Sequence, residues 1–188
     1  KVPDFMVEEN FEYLGSEDID TSRYISREFF EKEKECMWTR VWQFACRVED
    51  IPEVGDSLVY DILDWSFLIV RSDKNTIKAF YNSCLHRGRR IKTERGFGNQ
   101  LECPFHGFCW HLDGSLKFTP APWDFAHIKD RDFSLPEVRV EIWQGFVFIN
   151  MDDNAVSLEE YLDPIPEHHK RWDLGNCKKV IHVSKVVP

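Results

Sequence analysis

The chain has 188 residues and a formal net charge of −9, with 43% hydrophobic and 14% aromatic residues. That length suits one domain with extensions, and seven tryptophans are too many for a disordered segment. The acidic balance argues against nucleic acid as a partner, and no apolar run approaches the ~18 residues needed to cross a bilayer. In chain order, residues 1–40 read as an arm followed by a helix. Ser26 is the expected N-cap, Glu28 and Glu31 fall in the first turns, and Phe30, Met37 and Val41 recur at near-helical spacing. Pro52 and Gly55 then open a region of short strands. Ser57 to Tyr60, Trp65 to Arg71 and Thr76 to Tyr81 are rich in β-branched and aromatic residues and are separated by turns such as Ser72-Asp73-Lys74-Asn75. Asp113-Gly114 is a two-residue hairpin signal, and Val138 to Asn150 gives two strands around Gln144-Gly145. Beyond Asn150 the pattern changes: Ser157 starts a helix, Pro164 and Pro166 end it early, and Lys179 to Val187 alternates like a strand. The expected fold is mainly β, an antiparallel sandwich over residues 41–155, with an N-terminal arm and helix over 1–40 and a further helix and strand over 156–188.

Two short stretches carry the chemistry. Cys84-Leu85-His86 and, after sixteen intervening residues, Cys103-Pro104-Phe105-His106 each offer one thiol and one imidazole. Structural zinc sites more often present paired cysteines and then paired histidines, or four cysteines. The alternating order suits a two-iron, two-sulfide centre with cysteines on one iron and histidines on the other. A structural zinc module remains the alternative reading of these residues.

Extended by their neighbours, Cys84-Leu85-His86-Arg87-Gly88 and Cys103-Pro104-Phe105-His106-Gly107 resemble the cluster-binding boxes of Rieske proteins. The chain is most similar to the Rieske domain of ring-hydroxylating, non-haem iron oxygenases, large or α subunit. Trp42-Gln43-Phe44, Gly55-Asp56, Tyr81-Asn82-Ser83 and Leu112-Asp113-Gly114 extend the likeness over residues 20 to 188. Carried over by position, it implies that Cys84 and Cys103 hold a buried iron and His86 and His106 an outer one, so the four serve as both cofactor-binding and metal ligands. Gly88 and Gly107 would let backbone amides approach the sulfides. High-potential Rieske proteins carry a cysteine pair where Arg89 and Phe105 stand here, and a serine at the position of Phe108. The resemblance therefore implies no cluster disulfide and a potential toward the low end of the range, about −150 mV. Many oxygenases have tryptophan where this chain has Phe108.

The resemblance further implies a terminal oxygenase component, mono- or dioxygenase. It would use O2 and electrons from NAD(P)H, supplied through a ferredoxin or flavin reductase, to hydroxylate or demethylate an organic, aromatic or polycyclic substrate. Residues 156–188 would begin an α+β catalytic domain carrying a mononuclear non-haem Fe(II), and the subunits would assemble as a homotrimer or α3β3. A self-standing Rieske ferredoxin is the alternative. The catalytic iron finds no ligands here. Asp124 and His127 lack a second histidine nearby, His168 and His169 diverge, and His111 and His182 are isolated. Cys36, Cys46, Cys109 and Cys177 follow no disulfide framework and read as reduced, mostly buried cytoplasmic thiols. Arg87, Arg89, Arg90, Lys92 and Arg95 crowd the first box as either a solvated loop or a docking surface for an acidic redox partner.

Overall fold

The computed structural model describes residues 15–128 and 131–186. Among these described residues, ten strands form two antiparallel sheets. They are β1 Gln43–Arg47, β2 Asp56–Ile62, β3 Trp65–Asp73, β4 Thr76–Tyr81, β5 Gly96–Phe97, β6 Leu101–Glu102, β7 Cys109–Trp110, β8 Leu116–Phe118, β9 Glu137–Trp143 and β10 Phe146–Asn150. The larger sheet runs β1-β10-β9-β4-β3-β2-β5, and the smaller β6-β7-β8.

Strand β3 explains the layering. Phe67, Leu68, Ile69 and Val70 are consecutive and wholly buried, so the strand is apolar on both faces. Phe67 and Ile69 point into one core with Cys46, Ile77, Ala79, Val138, Val147 and Ile149, which lies within the curl of the larger sheet. Leu68 and Val70 face a second core with Phe80, Leu101, Phe108, Trp110 and both box cysteines. Each such fully buried side chain contributes about 1.5–3 kcal/mol. The second core includes the cysteines of both boxes, so the site rests on buried apolar side chains.

The turn at Gln144-Gly145 is as expected. Trp143 pairs with Phe146, and both turn residues have positive φ, +49° and +79°, which matches the twist of the flanking strands. The hairpin expected at Asp113-Gly114 is longer than two residues. His111 donates to the Ser115 carbonyl and Gly114 to that of His111, and the Asp113 carboxylate accepts from the Ser115 amide. The aspartate thus builds its own turn instead of closing a tight hairpin.

Helix α1 spans Ser22–Ile25 and α2 spans Arg27–Glu33, running on into a π-helical turn at Lys34–Trp38. Ser26 caps α2 by accepting from the Phe29 amide. Ser157 likewise caps α3, Leu158–Leu162, whose two leucines pack on Trp42. Pro166 does not end this helix. It sits in the first turn of a further one, α4 Ile165–His169, where a missing N–H costs nothing.

The strand expected from Lys179 to Val187 does not form over residues 179–186, and Val187 lies outside the described residues. Val180, Ile181 and Val183 are 93%, 75% and 68% exposed: alternation alone makes no strand without an edge to pair with. Nor are the spare cysteines mostly buried. Cys46 and Cys109 are, but Cys36 and Cys177 are exposed, and all six cysteines are free. Among the described residues no helix is long and apolar enough to cross a membrane.

Candidate metal centre

The two boxes adopt the same local conformation. In the loop after β4, the Cys84 amide donates to the Arg89 carbonyl at 2.8 Å and the Gly88 amide to the Cys84 carbonyl at 2.8 Å. In the loop between β6 and β7, the Cys103 amide donates to the Phe108 carbonyl at 2.8 Å and the Gly107 amide to the Cys103 carbonyl at 3.0 Å. Each loop therefore closes over five residues and needs a left-handed residue at its fifth position, Gly88 at φ +69° and Gly107 at φ +78°. Around Gly107 no atom lies within 4 Å of where a Cβ would stand, and around Gly88 only the Ser83 hydroxyl does. The glycines answer to backbone conformation, and the space outside them is open.

The loops set the thiols inside and the imidazoles outside. Cys84 and Cys103 are 3% and 1% exposed, whereas His86 is half-buried and His106 exposed. The imidazole rings lie edge to face with centroids 4.8 Å apart. Burial, together with the neighbouring Cys103 thiol, pushes the Cys84 thiol above its ordinary range. Burial, with His106 and Arg87 nearby, pulls His86 below its own. Two sulfurs held together away from water are poor thiolates unless a cation joins them.

His86 supplies the sharpest observation. Its ring is walled by Phe108 at 5.0 Å and Phe125 at 5.3 Å, and its Nδ1 is buried with no hydrogen-bond partner, alone in this among the described side-chain nitrogens and oxygens. A buried nitrogen left unpaired is costly, and a metal bond would satisfy it. Among the described residues, no three His, Cys, Asp or Glu converge to hold a single ion. The donor set divides into a thiol pair and an imidazole pair. That division fits a binuclear iron–sulfur cluster with two protein ligands per iron.

The other sequence candidates lie elsewhere. Asp124 and His127 are exposed on a turn and a short 3-10 segment. His168 and His169 each place Nδ1 3.0 Å from a carbonyl one turn back, those of Pro164 and Ile165. His111 and His182 are exposed. Of the basic residues, Arg89, Lys92 and Arg95 line one surface depression. Arg90 pairs with Asp61 at 2.8 Å, and Arg95 lies near enough to Asp50 to help lower its carboxyl. Sequence reading named Asn82 only within Tyr81-Asn82-Ser83 and gave no role to Phe125, which walls His86 from far along the chain.

A family model of the Rieske [2Fe-2S] domain matches residues 41–129. The α subunit of 2-aminobenzenesulfonate 2,3-dioxygenase from Alcaligenes sp. is 34% identical over 158 residues, 81% of this chain and 40% of that protein. The carnitine monooxygenase oxygenase subunit of Escherichia coli K12 is 34% identical over 163 residues, 85% of this chain and 44% of that one. Among solved structures, the apo form of the quaternary ammonium Rieske monooxygenase CntA superposes with a TM-score of 0.73 at 30% identity, covering 80% of this chain and 44% of that one. Naphthalene 1,2-dioxygenase from Rhodococcus sp., bound to indole, gives 0.68 at 30% identity, covering 73% and 32%. The chain thus spans less than half the length of these relatives. It carries a Rieske [2Fe-2S] domain and is similar, over most of its length, to the large subunits of Rieske non-haem iron oxygenases.

Proposed function

We propose that Cys84 and Cys103 hold the inner iron of a Rieske cluster, that His86 and His106 hold the outer one, and that the chain is the electron-relay part of a terminal oxygenase. The observation that carries this is the buried, unpartnered Nδ1 of His86 beside a buried thiol pair. When bound, the cluster supplies one-electron transfer. The chain's own residues do the rest: the two closed loops orient the donors, Phe108 and Phe125 keep water from His86, and the exposed edge of His106 gives a partner access. Phe108 is wholly buried and offers no hydroxyl to the cluster, which supports a low potential. Likeness to the relatives extends well beyond residues 41–129, which favours an oxygenase over a self-standing ferredoxin.

In the whole protein, electrons from NAD(P)H would arrive through a ferredoxin or flavin reductase. They would serve O2-dependent hydroxylation or oxidative demethylation at a mononuclear iron outside these residues, in a trimeric assembly. The matched relatives are named for aromatic acids, for naphthalene and for quaternary amines such as carnitine, so an organic substrate, aromatic, polycyclic or a quaternary amine, is within the proposal. We divide the chain accordingly into an arm at 1–40, the Rieske domain at 41–155 and a connection toward catalytic sequence at 156–188. Purified protein should contain two irons and two acid-labile sulfides per chain and give a mixed-ligand electron paramagnetic resonance signal when reduced. His106→Cys should abolish that signal and lower the potential. Zinc in place of iron, or an unchanged spectrum in the variant, refutes the ligand assignment.

A further inference from the structure

The two box loops are alike inside but differ at their bases. Below Cys103 the chain is a β-hairpin, with Leu101 opposite Trp110 and Glu102 opposite Cys109. Backbone hydrogen bonds therefore fix where the second loop leaves the sheet. Below Cys84 the returning chain, residues 89–95, contains no strand. One side chain spans that gap. Asn82 is 2% exposed. Its Oδ1 accepts from the Ile91 amide at 3.0 Å and the Lys92 amide at 3.1 Å, and its Nδ2 donates to the Lys92 carbonyl at 2.8 Å and the Ser66 hydroxyl at 3.0 Å. Toward Lys92 it both accepts and donates, as the backbone of a paired strand residue does. Its own amide donates to the Ser66 carbonyl at 2.9 Å, which anchors the whole assembly on β3.

We propose that Asn82 is a positioning residue that substitutes for the missing ladder and fixes the register of the first box, and with it Cys84 and His86. All four hydrogen-bonding sites of its amide group are used. A buried amide so fully satisfied rigidifies its surroundings, and a truncated one strands its former partners. Ile91, wholly enclosed at 2% exposure in the core under the cluster loops, is the packing element the pin holds in place.

The test is hydrogen exchange on the full chain, with electron paramagnetic resonance of the reduced protein alongside. Asn82→Ala should speed exchange at the Ile91 and Lys92 amides at least roughly tenfold, the factor expected for losing bonds of this kind, while Leu68 and Ile69 on β3 stay as protected as before. Asn82→Asp keeps the accepting oxygen and should restore part of that protection. The signal should broaden or shift in Asn82→Ala and not in Glu102→Ala, because the second loop is fixed by backbone. Unchanged exchange at Ile91 and Lys92, or an equal rise across β3, overturns the proposal. If Asn82→Ala yields no folded protein, Ser66→Ala removes one Nδ2 partner and should raise the same two rates a few-fold; no rise overturns it equally. The link to the ligands rests on the reading of Cys84 and His86 above. A parent chain without any Rieske-type signal defeats that reading, whereas exchange decides the pin independently.

Discussion

At Gly114 conformation and packing together limit substitution. Its φ is +89°, and a Cβ there would stand 2.4 Å from Cε1 of Phe80, a core side chain 1% exposed. Gly114→Ala combines left-handed strain with overpacking and should cost about 2 kcal/mol or more. Urea unfolding would measure it, and a loss below about 0.5 kcal/mol would mean that Phe80 moves aside freely. Gly107, with open space around its missing Cβ, should lose only the strain contribution on substitution by alanine. At this scale the four candidate ligands were legible because each pair sits within one short box, where spacing alone reports proximity. Asn82 and Phe125 were not. Their importance comes from contacts with residues 91–92 and His86, which only the folded path brings together.

Among the elements, the segment after α4 is strapped to the rest of the fold by Arg47 and by ion pairs to Glu49 and Asp50. Arg47 on β1 donates to the carbonyls of Gln144 at 3.1 Å, Leu174 at 3.2 Å and Cys177 at 2.8 Å, and lies over the Phe146 ring at 4.3 Å. Lys179 adds its amide to Glu49 at 2.8 Å and its ammonium to Asp50. Partial burial alone would raise the Asp50 carboxyl, but the Lys179 ammonium, the Arg47 amide and the charge of Arg95 outweigh it, and the carboxyl lies below its ordinary value. A depressed carboxylate stabilises the fold fully above its unfolded value, about 3.9, and the contribution is lost as pH falls through the lower folded value. The strap should therefore hold at neutral pH and loosen in acid below about pH 4. Arg47→Ala should expose residues 174–179 to limited proteolysis at neutral pH while the sheet stays intact; an unchanged cleavage pattern would show that the lysine contacts suffice. The element-level reading succeeded where one stretch of sequence settles the matter, as in the apolar run of β3, the Ser26 and Ser157 caps and the Gln144-Gly145 turn. It failed where a partner decides, since residues 179–186 alternate yet have no edge to join. Pro166 was misread because proline is a terminator inside a helix and a starter in its first turn.

At the scale of the molecule, charge near the cluster loops runs against the overall balance. The chain is net −9, yet Arg87 and Arg89 are exposed beside the first box and have no ion-pair partner among the described residues. Arg90 is partly neutralised by Asp61; Lys92 and Arg95 also have no ion-pair partner among the described residues, and Arg87 and Arg89 lie nearest the imidazole pair along the chain. Such a local positive field on an acidic protein steers an acidic donor toward the exposed His106 edge and repels it elsewhere. Its reach is set by screening, about 30 Å at 0.01 M salt and about 3 Å at 1 M. Reduction by an acidic ferredoxin should thus slow steeply as salt rises, while reduction by an uncharged reagent should not. Arg87→Glu with Arg89→Glu should lower the low-salt rate about tenfold or more and leave the high-salt rate nearly unchanged, and Arg90→Glu, whose charge is already paired with Asp61, should do less. Stopped-flow reduction across ionic strength separates these cases: a rate indifferent to salt, or equal losses in both variants, would make the arginines a solvated loop.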